Sequence, residues 1–307
     1  MDVLTSSRLA RVIAGPVALR RWAVASLVMN IVIVVTGALV RLTGSGLGCP
    51  TWPRCTDDSY VPHPELGYRG VIEFGNRLLT FVLVVGAVLT WLSAVLLREN
   101  GRPRADLLRL ATVLALGIPA QAVIGGITVL VGLNPFVVAL HLVLSFVLIA
   151  LSVALVRRTR ELVPVPASRP AVLLARAAFV GIWVSVWLGT VVTGSGPHAG
   201  DERAVRTGLD PELVTQVHAA AVYATVAVTL ACVALLRSRA AFALLAVELA
   251  QAFVGIAQYN LGLPVWLVAL HLLGAAAAVA LATNLAISVR SAPATTPLER
   301  SLTAASR

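Results

Sequence analysis

Charged side chains are scarce in this 307-residue chain, at 12% of its residues where soluble domains carry about 25%. Lysine is absent, so all 24 basic side chains are arginines. The low charge excludes an ordinary soluble enzyme. The hydrophobic content of 58% also excludes a disordered chain, because such chains lack the apolar residues needed for a core.

Arginine is nevertheless in excess, and the formal net charge of +10 raises the question of nucleic acid. The arginines fall between apolar runs, which favours a membrane topology signal over a nucleic-acid partner. If the N-terminus is cytoplasmic, 18 arginines lie on the inner side, among them Arg8, Arg11, Arg300 and Arg307. Six arginines lie on the outer side or at the adjoining helix ends: Arg41, Arg54, Arg69, Arg77, Arg203 and Arg206. This distribution predicts both termini inside.

Eight apolar runs are long enough to cross a bilayer, which takes about 20 residues in a helix. The first is long and lacks a small-residue cleavage site, so it is interpreted as a retained helix and not as a signal peptide. The predicted spans are 22–43, 71–97, 107–131, 135–156, 173–194, 212–236, 240–260 and 264–290.

The two halves of the chain resemble each other. Residues 121–142 match residues 251–272 at a constant offset of 130, and Thr43–Gly46 recurs as Thr193–Gly196. With four spans in each half, the two halves have the same orientation. The sequence therefore predicts an all-α membrane protein of two four-helix bundles, 1–165 and 166–307, related by a pseudo-twofold axis along the membrane normal. The Pro-rich segment 161–170 divides them.

Three of the five histidines, His141, His218 and His271, lie inside predicted spans at similar depth below the outer surface. His141 and His271 are equivalent in the repeat, whereas the counterpart of His218 is Asn76. Two imidazoles from facing helices suit a six-coordinate b-type haem. The alternative is that these histidines only form hydrogen bonds between helices. Zinc is disfavoured, because no further Cys, Asp or Glu lies at that depth in the C-terminal half.

Glu73 lies three residues before Asn76, on the same face of the second helix. A carboxylate within the membrane is costly, so a functional role is the default hypothesis. The alternative is an interfacial glutamate paired with Arg77 or Arg69. Arg77 is also a candidate for binding a haem propionate, because a guanidinium matches a carboxylate.

The first outer loop contains two of the three cysteines, Cys49 and Cys55, among prolines. Facing an oxidising compartment, this pair can close a small disulfide ring, either structural or redox-active. The spacing is neither that of a zinc site nor that of a Cys-x-x-Cys redox motif. Cys232, in the sixth span, is expected to be a small buried hydrophobic residue.

These motifs together resemble the haem A synthase family over residues 22–290. The resemblance rests on VRLTGSGLGCPTWPRC at 40–55, IEFGNR at 72–77, the LHL segments around His141 and His271, VTGSGPHAGD at 192–201 and VHAA at 217–220. It implies an enzyme that oxidises the C8 methyl group of haem O to a formyl group, giving haem A for terminal oxidases.

The resemblance also implies roles for particular residues. His218 and His271 would hold haem b as cofactor, and Glu73 would be catalytic. The substrate haem would lie near His141, Asn76 and Arg77. Many members of the family carry histidine at the position of Asn76, so we expect His141 alone to bind the substrate iron.

Two other functions compete with this one: a carrier of haem or another lipophilic cofactor, and a b-type electron-transfer cytochrome. Duplicated halves suit a carrier, but the polar candidates cluster on the outer side and offer no path between the two faces. The expected partners are haem O, a haem O synthase (protohaem farnesyltransferase), membrane lipids and an unidentified electron donor. A bacterial cell membrane is the expected location, and a homo-oligomer is left open.

Overall fold

The computed structural model describes residues 12–99 and 101–292. Within this part of the chain eight helices are long and apolar enough to span a membrane, which confirms the predicted number of spans. They are α1 (Pro16–Leu42), α2 (Gly67–Leu96), α3 (Ala105–Leu130), α4 (Pro135–Thr159), α5 (Arg169–Ser195), α6 (Pro211–Leu236), α7 (Arg239–Asn260) and α8 (Val265–Ser288). The chain is a multi-pass membrane protein. Four of the arginines that predict its orientation, Arg8, Arg11, Arg300 and Arg307, lie outside the described residues, and the orientation stays a prediction.

Several helices begin where the sequence provides a cap. The side chains of Asn134, Ser168, Asp210 and Ser238 each accept a hydrogen bond from a backbone N–H in the first turn of the following helix. Such caps satisfy donors that a helix N-terminus would otherwise leave unpaired. The boundaries of the spans are therefore encoded locally, by polar residues at the ends of apolar runs.

The turns that lead into α4 and α8 have the same unusual backbone. Gly132 and Leu133 both have positive φ angles, 61° and 60°, and so do Gly262 and Leu263, with 73° and 61°. Positive φ is unfavourable for leucine. In each turn the leucine N–H donates to a helix carbonyl five residues back, from Leu133 to Thr128 at 2.8 Å and from Leu263 to Gln258 at 2.7 Å. The two turns are thus alike in conformation as well as in sequence.

Each half of the chain forms a closed ring of four helices. In the first half α1 contacts α2 and α4, and α3 also contacts α2 and α4; the second half repeats these contacts among α5 to α8. Between the halves, α8 contacts α1 and α4, and α4 contacts α5. This arrangement is what two related bundles require. The pseudo-twofold axis and the domain boundary stay predictions.

Two short strand pairs lie outside the helices. Strands β1 (Arg98–Glu99) and β2 (Arg102–Pro103) form an antiparallel pair between α2 and α3. Strand β3 (Val165–Ala167) pairs in parallel with β4 (Val289–Ser291), directly after α8. The segment predicted to divide the halves is thus hydrogen-bonded to the end of the last helix.

At the opposite end of the helices, which is predicted to be the outer one, residues in and beside the two copies of the Thr-Gly-Ser-Gly motif bring the halves together. Gly46 donates its N–H to the carbonyl of Gly200 at 2.9 Å. The Arg41 side chain donates to the carbonyls of His198 and Thr193, at 2.7 and 3.0 Å. These bonds join the loop after α1 to the loop after α5.

Candidate functional site

His218 and His271 face each other across the C-terminal bundle. Their ring centres are 6.5 Å apart and the rings are inclined by 78°. Two imidazole nitrogens that share one metal at about 2.0 Å each would place their ring centres roughly 6 Å apart. The observed separation is therefore compatible with two imidazoles that share one metal; the pair lies on α6 and α8, and the ligand roles stay predictions.

The histidines also carry buried polar atoms that lack a partner. The Nδ1 nitrogens of His141, His218 and His271 are buried and have no hydrogen-bond partner in the part of the chain that the structure describes. Leaving such an atom unpaired costs about 1–3 kcal/mol, so hydrogen bonds from Nδ1 to a neighbouring helix do not account for these histidines. The donor set, two imidazoles on facing helices, fits a b-type haem. Among the described residues, no cluster of three or more His, Cys, Asp or Glu side chains could hold a metal ion.

His141 occupies the corresponding position on α4 in the N-terminal bundle. Its backbone is held by Gln121 of α3, which donates to the His141 carbonyl at 3.1 Å and to the Ser145 hydroxyl at 2.9 Å. On α2, the carbonyl oxygen of the Asn76 side chain accepts from the Thr36 hydroxyl at 2.8 Å. That contact engages the one atom of Asn76 suited to metal ligation. Ligation of the substrate iron by His141 alone stays a prediction.

Glu73 and Arg77 form a buried ion pair one turn apart on α2. The Glu73 Oε1 atom accepts from Arg77 Nη2 at 2.6 Å, and its Oε2 atom accepts from the backbone N–H of Cys49 at 2.7 Å. Arg77 also donates to the carbonyls of Cys49, Thr51 and Arg54. Glu73 was expected either to have a functional role or to pair with an arginine, and the structure shows its ion pair with Arg77. The pair fastens the first outer loop to α2, and the roles of both residues in chemistry stay predictions.

The loop held by this pair contains the predicted disulfide. Cys49 and Cys55 are bonded and both are fully buried, whereas Cys232 is a free buried thiol, as expected. Trp52 lies within the disulfide ring and packs against Gly126 of α3, where any added Cβ would overlap the indole. The neighbouring Gly125 faces His141. The loop therefore reaches over the N-terminal bundle beside the His141 site, a docking that the sequence did not reveal.

A second ion pair in the outer loops joins Asp201 and Arg203, whose side chains approach to 3.0 Å. Burial acts to raise the pKa of Asp201, but hydrogen bonds from the side chain and backbone of Arg203 together hold the pKa below its usual value. The loop that contains Asp201 is the one joined to Gly46, so this pair supports the contact between the halves.

Sequence reasoning also missed Glu248 on α7. Its side chain is 4% exposed, and its Oε1 atom accepts from the Thr229 hydroxyl of α6 at 2.8 Å. Its Oε2 atom has no partner in the described part of the protein. An acid in the middle of the apolar run 240–260 was the available signal. Glu248 lies well below the depth of the three membrane histidines, and acidic metal ligands were expected only at the depth of the histidines.

Comparison with known proteins places these features in context. The chain matches the cytochrome oxidase assembly protein family over residues 20–200, which include Glu73, His141 and the disulfide and end before His218. A haem A synthase of Lysinibacillus sphaericus is 37% identical over 134 residues, 42% of this chain and 41% of the relative. Haem A synthases of Listeria welshimeri and Bacillus pumilus are each 31% identical, over 130 and 132 residues, with the same coverage.

The aligned part of the chain thus spans about two fifths of the length of these curated relatives. The family match is longer and covers more than half of the present sequence. It contains α1 from residue 20 onward and all of α2 to α5, and it reaches the loop after α5. The chain belongs to the cytochrome oxidase assembly protein family.

Proposed function

We propose that this protein is a haem A synthase, which oxidises the C8 methyl group of haem O to a formyl group. The observation that carries the proposal is the facing pair His218 and His271, at the separation of two axial ligands. The names of the relatives support the same substrate.

The C-terminal bundle is the proposed cofactor site, with His218 and His271 as ligands to haem b. A haem held by both histidines would supply one-electron transfer. The helices contribute rigidity, because both ligands are on long spans and not on loops.

The N-terminal bundle is the proposed substrate site, with His141 as the ligand that orients haem O. Converting a methyl group to a formyl group takes up one oxygen atom, equivalent to one water, and releases four electrons and four protons. Dioxygen is the proposed oxidant and the electron donor the proposed reductant: for each oxygen atom placed on the carbon, the other atom of O2 is reduced to water with two electrons and two protons. We propose two successive hydroxylations and then loss of water.

Glu73 is the proposed proton acceptor of this site. Its carboxylate accepts hydrogen bonds on both oxygens, from Arg77 and from Cys49, as expected of the ionised form. An ionised carboxylate can take up a proton but has none to donate, so Glu73 acts as a base and not as an acid. Arg77 holds it in place and completes the outer wall of the site.

The proposal extends to the surroundings of the protein. Haem O is supplied by a haem O synthase, and the electron partner is a separate protein or small molecule. The protein is placed in a bacterial cell membrane with both termini in the cytoplasm, following the arginine distribution.

The test is to express the protein with a haem O synthase and to extract the haems. We expect hydroxylated and formyl haem under aerobic conditions, and their absence would refute the activity. Haem O bound to the purified protein without any oxidised product would favour the carrier instead.

The ligand assignment has its own test. His218→Ala and His271→Ala should each abolish the low-spin haem spectrum of the purified protein, whereas His63→Ala, in an exposed loop position, should leave it unchanged. A normal low-spin spectrum in both helix variants would refute the assignment of these ligands.

A further inference from the structure

A glycine on the preceding helix faces each of the four ligand positions. A Cβ built at Gly125 would lie 3.2 Å from the Cε1 atom of His141. The corresponding distances to Cε1 are 3.4 Å from Gly189 to His218 and 3.5 Å from Gly255 to His271. At the fourth position a Cβ on Gly37 would lie 3.9 Å from Nδ2 of Asn76.

The four contacts repeat between the halves. Gly125 and Gly255 are 130 residues apart, the offset that also relates His141 to His271. Gly37 and Gly189 both lie in the second half of the first helix of their bundle, although the offset of 150 between the Thr-Gly-Ser-Gly motifs pairs Gly37 with Trp187. In the three histidine cases the nearest ring atom is the same one, Cε1, whereas the next nearest is Nε2 at His141 and Nδ1 at His218. This regularity is not expected of glycines placed by chance.

Packing within the protein does not require glycine at two of these positions. The distances of 3.4 and 3.5 Å at Gly189 and Gly255 are ordinary van der Waals contacts, so an alanine methyl would fit beside either ring. Glycine inside a helix is less stable than alanine, because it loses more backbone freedom on folding. Each glycine therefore makes its helix less stable than alanine would, and contacts with the surrounding side chains do not explain its presence.

The position of the glycines relative to the rings supplies an explanation. Cε1 adjoins Nε2, and Nε2 is the nitrogen available to a metal because Nδ1 is buried on each ring. A flat macrocycle bound at Nε2 would extend past the Cε1 edge toward the neighbouring helix. A methyl group at Gly189 or Gly255 would stand in its way without touching another part of the protein.

We propose that Gly189 and Gly255 are positioning residues for the haem in the C-terminal bundle, and that Gly125 has the same role at the substrate site. Their lack of a side chain lets the macrocycle lie close to the helix backbone while the histidine keeps its ring orientation. The inference rests on the proposed function, since it presupposes a haem bound between His218 and His271.

The test is Gly255→Ala, with Gly189→Ala as a second variant and Gly75→Ala as control. A Cβ at Gly75 has nothing within 4 Å, so its substitution changes helix propensity alone. Two quantities are measured for each purified protein: the affinity for haem with its low-spin absorption spectrum, and the melting temperature of protein prepared from haem-depleted cells. We expect both site variants to bind haem at least tenfold more weakly, with an altered spectrum, while their haem-free melting temperatures equal or exceed that of the wild type.

Unchanged affinity and spectrum in both site variants would overturn the inference. A lower melting temperature of the haem-free site variants, alongside their weaker haem binding, would also overturn the inference, because the glycines would then serve ordinary helix packing. Wild-type protein that binds no haem would instead refute the proposed cofactor site, and the inference with it. Weaker binding in Gly75→Ala equal to that of the site variants would refute the specific role of the glycines.

Discussion

Replacing Arg77 with alanine should release the first outer loop from α2. The guanidinium donates two hydrogen bonds to Glu73, at 3.2 and 2.6 Å, and three to loop carbonyls, at 2.9 to 3.2 Å. The substitution leaves a buried carboxylate without its cation, since the Glu73 side chain is 7% exposed. Removing one partner of a buried ion pair costs about 3–5 kcal/mol. Because the Arg77 side chain is 19% exposed, we expect the lower end, about 3 kcal/mol.

This loss should appear as easier opening of the loop. At 1.4 kcal/mol for each factor of ten, about 3 kcal/mol raises the open population roughly 100-fold. The assay follows reduction of the Cys49–Cys55 disulfide by a water-soluble phosphine in purified protein, with the new thiols counted by maleimide labelling. When opening and closing are fast, the reduction rate follows the open population and should also rise roughly 100-fold.

Arg69→Ala is the matched control. Its ion pair with Glu202 spans 3.3 Å, but the two side chains are 40% and 86% exposed. Pairs of this kind are worth up to about 1 kcal/mol, so reduction should speed up by less than roughly tenfold. Equal reduction rates in Arg77→Ala and the wild type would refute the conclusion that Arg77 fastens the loop.

Three further outcomes are expected. Gly126→Ala should displace Trp52 and weaken substrate binding at the N-terminal site, measured by haem O titration, without changing the haem spectrum of the C-terminal site; an effect on both sites would contradict it. The melting temperature of Glu248→Gln should lie within a few degrees of the wild-type value, because an amide oxygen still accepts from Thr229. Glu248→Ala should lose about 2–3 kcal/mol of stability, because the substitution leaves a cavity and removes a hydrogen bond. Equal losses of stability in the two variants would show that the carboxyl group itself is required. The depressed pKa of Asp201 means that its contribution to stability is present above the pKa of the unfolded chain and is lost as the pH falls through the folded value. An Asp201→Asn variant should therefore lose less stability than the wild type between neutral and acidic pH in melting experiments.

The sequence was sufficient to predict the spans and the depth of the histidines. The length and apolar composition of a segment are almost sufficient to identify a membrane helix. The eight apolar segments of the sequence therefore correspond to eight helices in the structure. The disulfide was also predictable from the sequence, because two cysteines in one short loop have few other partners. The rise per residue of a helix predicts a common depth for His141, His218 and His271, and the structure brings His218 and His271 face to face.

The contacts between helices were not predictable in the same way. The docking of Trp52 on Gly126 joins residues 74 positions apart and depends on how α3 packs. The glycines that face the histidines belong to other helices, so no local pattern marks them. Arg77 was considered as a propionate ligand because a guanidinium matches a carboxylate. Its contacts with the loop were not foreseen, because their acceptors are backbone carbonyls, which have no signature in a sequence.

The contact between α4 and α8 has a consequence for how the two bundles would cooperate. These helices carry His141 and His271, so groups bound at the two histidines would be separated by one pair of packed helices, whose axes typically lie 8–10 Å apart. Electrons would cross this pair of helices by tunnelling, which requires neither a mobile electron carrier nor a domain motion. Exchange between the two sites should then persist in frozen samples, where large-scale motion has stopped.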